Sequence, residues 1–155
     1  MKDEYRHAFL RGARPEDGSR TAVAAWCADQ AAAKLQYGPI ASWNTSEITE
    51  MESLFYNKAG FNEDISRWDV SNVTTLDFTF DGATSLNGDL ARWDVSNVTT
   101  LDFTFFGATS FNGNLSRWDV RQVTDMQYAF NLATSFNQQL GGSWAQSTAR
   151  MLEMF

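Results

Sequence analysis

Apolar side chains recur along this chain in columns 25 residues apart. Trp43, Trp68, Trp93 and Trp118 form one column, and Phe55, Phe80, Phe105, Phe130 and Phe155 form a second. Phe61, Leu86, Phe111 and Phe136 make a third, and Ile65, Leu90, Leu115 and Leu140 a fourth. A fixed period of this length marks an architecture in which each unit buries its apolar face against the units beside it. Trp144 falls one residue late, after Gly141 and Gly142, while Met151 and Phe155 return to register, so the final unit is locally altered.

Within a unit, Ile65, Trp68, Val70 and Val73 follow the spacing of a leucine-rich-repeat strand, and the phrase returns at Leu90, Trp93, Val95, Val98 and at Leu115, Trp118, Val120, Val123. In a strand, Trp68 and Val70 share the inward face while Arg67, Asp69 and Ser71 share the outward one. The expected fold class is an α/β repeat: a right-handed leucine-rich-repeat-like parallel solenoid of about four and a half 25-residue coils, its hand following the crossover rule for parallel strands. Each strand phrase is followed by a threonine with an acid or amide three residues on, as in Thr74-Thr-Leu-Asp77 and Thr99-Thr-Leu-Asp102. This predicts a short capped helix that turns Leu76 and Phe80 inward and ends at Gly82 or Gly107. The alternation of Leu76, Phe78 and Phe80 leaves a second short strand open as the other reading.

The N-terminal part differs. Residues 1–18 read as a polar, flexible segment. Residues 19–39 read as an N-terminal capping helix with Ser19 as N-cap, Val23, Trp26, Ala32 and Leu35 on one face, and Gly38-Pro39 as the stop. Such a helix covers the apolar end of a solenoid spanning residues 40–155. No equivalent cap follows Phe155, and an uncovered terminal unit bearing Phe136, Leu140, Met151 and Phe155 predicts end-to-end self-association through the C-terminal coil.

The phrase Phe61-Asn-Glu-Asp-Ile-Ser-Arg-Trp-Asp-Val-Ser-Asn-Val-Thr74, followed by Phe80 and Gly82-Ala-Thr-Ser85, resembles the repeat of BspA-like surface proteins, also known as a mycoplasma domain of unknown function. The resemblance runs from about Ile40 to Phe155, and Trp-Asp-Val-Ser-Asn-Val-Thr recurs intact from Trp68 and from Trp93. It implies a leucine-rich-repeat-like solenoid, a cell-surface or secreted location and, as for several members, attachment to surfaces or host proteins. Methionines usual in that family are replaced here by Leu76, Phe78, Leu101 and Phe103, and the last repeat lacks the Asp-Val after Trp144.

Composition narrows the function. With 155 residues and 43% hydrophobic content the chain can bury one real core. A formal charge of −7 offers nothing to nucleic acid or anionic lipid, whose affinity comes from Lys and Arg. No run of 18 apolar residues argues for membrane insertion, and Met1 to Gly18 lacks the apolar stretch of a secretory signal. Cys27 is the only cysteine and His7 the only histidine. That rules out a disulfide framework, a thiolate zinc site and a nucleophile–histidine pair within the repeats, so neither enzyme nor cofactor is expected.

What remains is recognition. Arg67, Arg92 and Arg117 form one outward column and Asp69, Asp94 and Asp119 the next, a striped face that either binds a protein or cell-surface partner or merely pairs charges for solubility. Asn62, Asn87, Asn112 and Asn137 read as a structural amide ladder. Threonine columns at Thr74, Thr99, Thr124 and at Thr84, Thr109, Thr134 are explained by capping and turns, with ice or mineral lattice binding as a minor alternative. Sequons stand at Asn44, Asn72, Asn97 and Asn114. The expected function is a non-catalytic protein-interaction or adhesion module, the alternative a spacer within a larger repeat protein.

Overall fold

The computed structural model describes residues 15–155. The polar segment therefore lies outside the described residues up to position 14, as does His7. Two helices open the described chain, α1 (Pro15–Ala28) and α2 (Gln30–Tyr37), in place of the single expected helix. Asp29 causes the break. Its backbone is extended, and its carboxylate accepts from the Ala32 amide at 3.0 Å, which makes it the N-cap of α2. The helical phase restarts there, so Val23 and Trp26 are buried as expected while Ala33, not Ala32 or Leu35, turns inward and Leu35 is 91% exposed. Ser19 is buried within α1 and is not its cap. Gly38, at φ 75°, ends α2 as expected, its amide donating to the Lys34 carbonyl.

The two helices cover the first repeat. Trp26 meets Trp43 edge-on at 5.8 Å, Gln30 donates to the Glu63 carboxylate at 2.6 Å, and the Arg20 guanidinium donates to the Glu52 carbonyl. Beyond that cap, equivalent residues of successive units lie side by side. Isolated parallel bridges join Glu50 to Thr75, Thr75 to Thr100, Thr100 to Asp125 and Asp125 to Arg150. The amides of Met51, Ser53, Phe55 and Asn57 donate forward to the carbonyls of Thr75, Asp77, Thr79 and Asp81, and Leu76, Phe78, Phe80 and Gly82 repeat this onto residues of the following unit. Along the neighbouring edge the direction reverses: the Thr74 amide donates back to the Thr49 carbonyl, Thr99 to Thr74 and Thr124 to Thr99, at 2.8 to 2.9 Å.

The aromatic columns form the core. The Phe55, Phe80, Phe105, Phe130 and Phe155 rings stack at centroid distances of 5.3 to 5.6 Å. Each tryptophan also solves its own polar problem, because the indole N–H of Trp68, Trp93 and Trp118 donates to the carbonyl of Ile40, Ile65 and Leu90, 28 residues upstream. Trp144 keeps the bond, to Leu115, at 29 residues. The extra residue is taken up by a 3-10 turn over Trp144–Gln146, with the Ser143 hydroxyl bridging the Trp118 carbonyl and the Val120 amide.

The strands and the wall helix are not found. No strand occurs among the described residues, so the leucine-rich-repeat-like parallel β-solenoid is not the fold of this chain, and a handedness inferred from parallel strands has nothing to rest on. The inward set is right: Ile65, Trp68, Val70 and Val73 are buried, and Arg67 and Asp69 are exposed. The backbone beneath them is a pair of turns, closed by Trp68 N–H to Ile65 O and by Val73 N–H to Val70 O. Asp64 and Asp69 hold those turns by accepting from both the amide and the hydroxyl of Ser66 and Ser71, a local bond that competes with pairing as a strand. Around Leu76 to Phe80 neither expected element forms. Leu76 and Phe80 are buried as expected, but Phe78 sits at φ 54°, which ends any helix or strand there. The threonines are not caps either: the hydroxyls of Thr74, Thr99 and Thr124 donate to the carbonyls of Thr49, Thr74 and Thr99. Those of Thr84, Thr109 and Thr134 do the same one column over. The asparagine ladder is as expected, each side-chain oxygen of Asn62, Asn87 and Asn112 accepting from the amide of the next asparagine at 2.8 to 2.9 Å.

Candidate functional site

The striped face is present, but its arginines and aspartates do not pair as a solubilising ladder would. Arg67, Arg92 and Arg117 are exposed, and none has a carboxylate within 4.0 Å among the described residues. The aspartates of the next column face their own turns. Asp69 accepts from Ser71, Asp94 from the Ser96 amide at 3.1 Å, and Asp119 from the amide and guanidinium of Arg121. The bonds from Ser71 hold the Asp69 carboxyl below its usual range, and those from Arg121 pull Asp119 down to about 2. These acids are turn residues, and the arginines stand beside them without pairing.

A second surface lies where the wall helix was expected. Phe78, Phe103 and Tyr128 occupy one position in three successive units, at φ 54°, 53° and 53°. All three are half-buried, with rings stacked at 4.9 and 4.7 Å, and Phe106 packs on Phe103 at 5.4 Å. Stacking hides the ring faces that meet between neighbouring units. One residue before each phenylalanine stands an aspartate. Asp77 accepts from the Thr100 hydroxyl at 2.6 Å and the Asp102 amide at 3.0 Å, and Asp102 accepts from the Gln127 amide at 2.9 Å. Burial, a hydrogen bond with Asp125 and the charges of Asp125 and Asp77 push the Asp102 carboxyl up to about 6. Asp125 is itself held by Arg150 at 3.1 Å, and burial raises Asp81 as well.

This wall offers an apolar ridge bordered by carboxylates. No group of three or more His, Cys, Asp or Glu side chains among the described residues is arranged to hold a metal ion. The sequence reading misses the wall as a site although its signal is there, a further aromatic column at period 25, because Phe78 falls inside the expected short helix, with a second strand as the other reading. No helix among the described residues is long and apolar enough to cross a membrane.

Residues 26–144 match the model of a family described as "Mycoplasma protein of unknown function, DUF285". No curated protein and no solved structure matches the chain. The matched stretch begins at Trp26 in α1 and ends at Trp144, taking in the tryptophan ladder and the whole aromatic row. On that match the chain belongs to the DUF285 family.

Proposed function

We propose that this chain is a non-catalytic protein-interaction or adhesion module, akin to the repeats of BspA-like surface proteins, and that it engages its partner through the wall carrying Phe78, Phe103 and Tyr128. One observation carries the reading. Three consecutive units hold bulky aromatic residues in left-handed backbone, where glycine or asparagine is favoured. Residues kept at a conformational cost on a surface point to a use for the side chain. Large aromatic side chains are also the groups that dominate binding energy at protein interfaces. The family resemblance supports the same direction.

Asparagine separates function from fold here, since it tolerates left-handed backbone without the ring. Beads coated with the chain or with Phe78→Asn/Phe103→Asn/Tyr128→Asn would be allowed to settle on an epithelial cell layer and washed under shear. Retention of the wild-type chain and its loss in the folded variant is the expected result. Equal retention of both would move attention to the arginine column, to be tested with Arg67→Ser/Arg92→Ser/Arg117→Ser. Retention no better than that of uncoated beads would leave a spacer with no ligand of its own.

A further inference from the structure

We infer that the occupant of the aromatic wall is a basic amphipathic segment of another protein, one that lays aliphatic side chains against the rings and lysine or arginine side chains against the bordering carboxylates. This rests on the reading of the wall as an interaction surface and adds the chemistry of its partner.

Charge complementarity selects that partner. Three outward columns make up the wall: Glu52, Asp77, Asp102, Gln127, Leu152; then Ser53, Phe78, Phe103, Tyr128, Glu153; then Tyr56, Asp81, Phe106, Asn131. They contain no lysine, arginine or histidine. The adjacent column brings one cation, Arg150, and that one is spent on Asp125 and Gln127 at 3.1 Å. An acidic partner would meet like charge at Glu52, Asp77, Asp81 and Asp102, with Arg20 of α1 reaching only the first unit, at the Glu52 carbonyl. A basic one would gain from carboxylates that are fixed in place by the Thr100 hydroxyl and by the amides of Asp102 and Gln127. The carboxylates are also crowded. Burial first, and then the nearby Asp125 and Asp77, hold the Asp102 carboxyl up, so a proton is retained there up to about pH 6. An approaching ammonium or guanidinium relieves that crowding, and the proton leaves. Binding of a basic segment therefore weakens as pH falls through about 6.

The probe is a synthetic peptide of alternating lysine and leucine, compared with its glutamate–leucine counterpart by calorimetry on the full chain. The lysine peptide should bind, and both Phe78→Asn/Phe103→Asn and Asp77→Asn/Asp102→Asn should weaken it by about tenfold or more. The aspartate-to-asparagine pair keeps each acceptor oxygen, so the wall hydrogen bonds survive while charge is removed. The glutamate peptide should show no measurable binding. If both peptides bind equally and the aromatic variant abolishes both, the wall is an interaction surface but its partner is not basic. If the lysine peptide fails to bind, or binds the aromatic variant as well as the wild-type chain, the inference is wrong; the bead assay then judges the adhesion reading separately.

Discussion

Each unit places two residues in the left-handed region, and the two positions are filled by opposite kinds of side chain. At one, Asn57, Gly82, Gly107 and Leu132 sit at φ 55° to 69°, and three of the four are residues that this backbone favours. At the other, Ser53, Phe78, Phe103, Tyr128 and Glu153 sit at φ 44° to 57°, and none is glycine or asparagine. The demand on the backbone is the same, so the difference is in what the side chain is for. The first column turns the chain. The second turns it and also presents a row of rings, each ring contact returning about 0.5–1.5 kcal/mol against a left-handed cost of about 1–2 kcal/mol.

Substitutions can break the comparison. Gly82→Ala should destabilise most, by at least about 2 kcal/mol, because the left-handed cost is joined by a Cβ that would lie 2.4 Å from the Asn57 side-chain oxygen. Chemical denaturation measures it. At Gly107 the nearest atom to an added Cβ is 4.0 Å away, so Gly107→Ala should cost only the backbone term, about 1 kcal/mol. Equal losses at the two glycines would mean the Asn57 contact relaxes freely. In the opposite sense, Leu132→Asn should stabilise by about 0.5–1 kcal/mol, since Leu132 is 59% exposed and has little packing to lose. Phe78→Asn should change stability by less than about 1 kcal/mol, strain relief and the lost ring contact with Phe103 nearly cancelling. A loss well beyond that would make the aromatic row a structural spine instead of a presented surface.

The smallest expected effect is electrostatic. An acid with a folded-state pKa above its unfolded value binds more protons when folded, so between its ordinary value near 3.8 and about 6 Asp102 makes stability fall as pH rises. Above pH 6 that loss is complete. Asp102→Asn should therefore raise the melting temperature slightly at pH 7 and flatten its slope between pH 4 and 6, as read by thermal scans across that window.

The inward columns were legible in the sequence because burial follows side-chain spacing, and the tryptophan and phenylalanine columns are where that spacing puts them except at Phe155, which is 68% exposed. Secondary structure was not legible from the same signal. Alternation of Trp68, Asp69 and Val70 describes which side chains face inward, and a pair of turns satisfies it as well as a strand does. The deciding information was local: Asp64-Ile-Ser66 and Asp69-Val-Ser71 carry side chains that capture their own backbone. The aromatic wall was hidden for a related reason. A phenylalanine between Leu76 and Phe80 looks like part of an apolar run until the φ of Phe78 is known.

The fixed direction of the hydrogen bonds on each edge between units has a consequence for how such a chain can change length. What each unit offers to the next, amides on one edge and carbonyls on the neighbouring one, is the same set that the previous unit offered to it, in the same order. A copy of any 25-residue phrase spliced in frame would find its donors and acceptors already matched on both sides, whereas a splice out of frame would need a local repair of the kind seen at Trp144–Gln146. Reversal is forbidden, because amide would meet amide. The chain thus has a grammar in which duplication and deletion of whole phrases are tolerated and inversion is not, so the length of the aromatic row can evolve without redesign of the core beneath it.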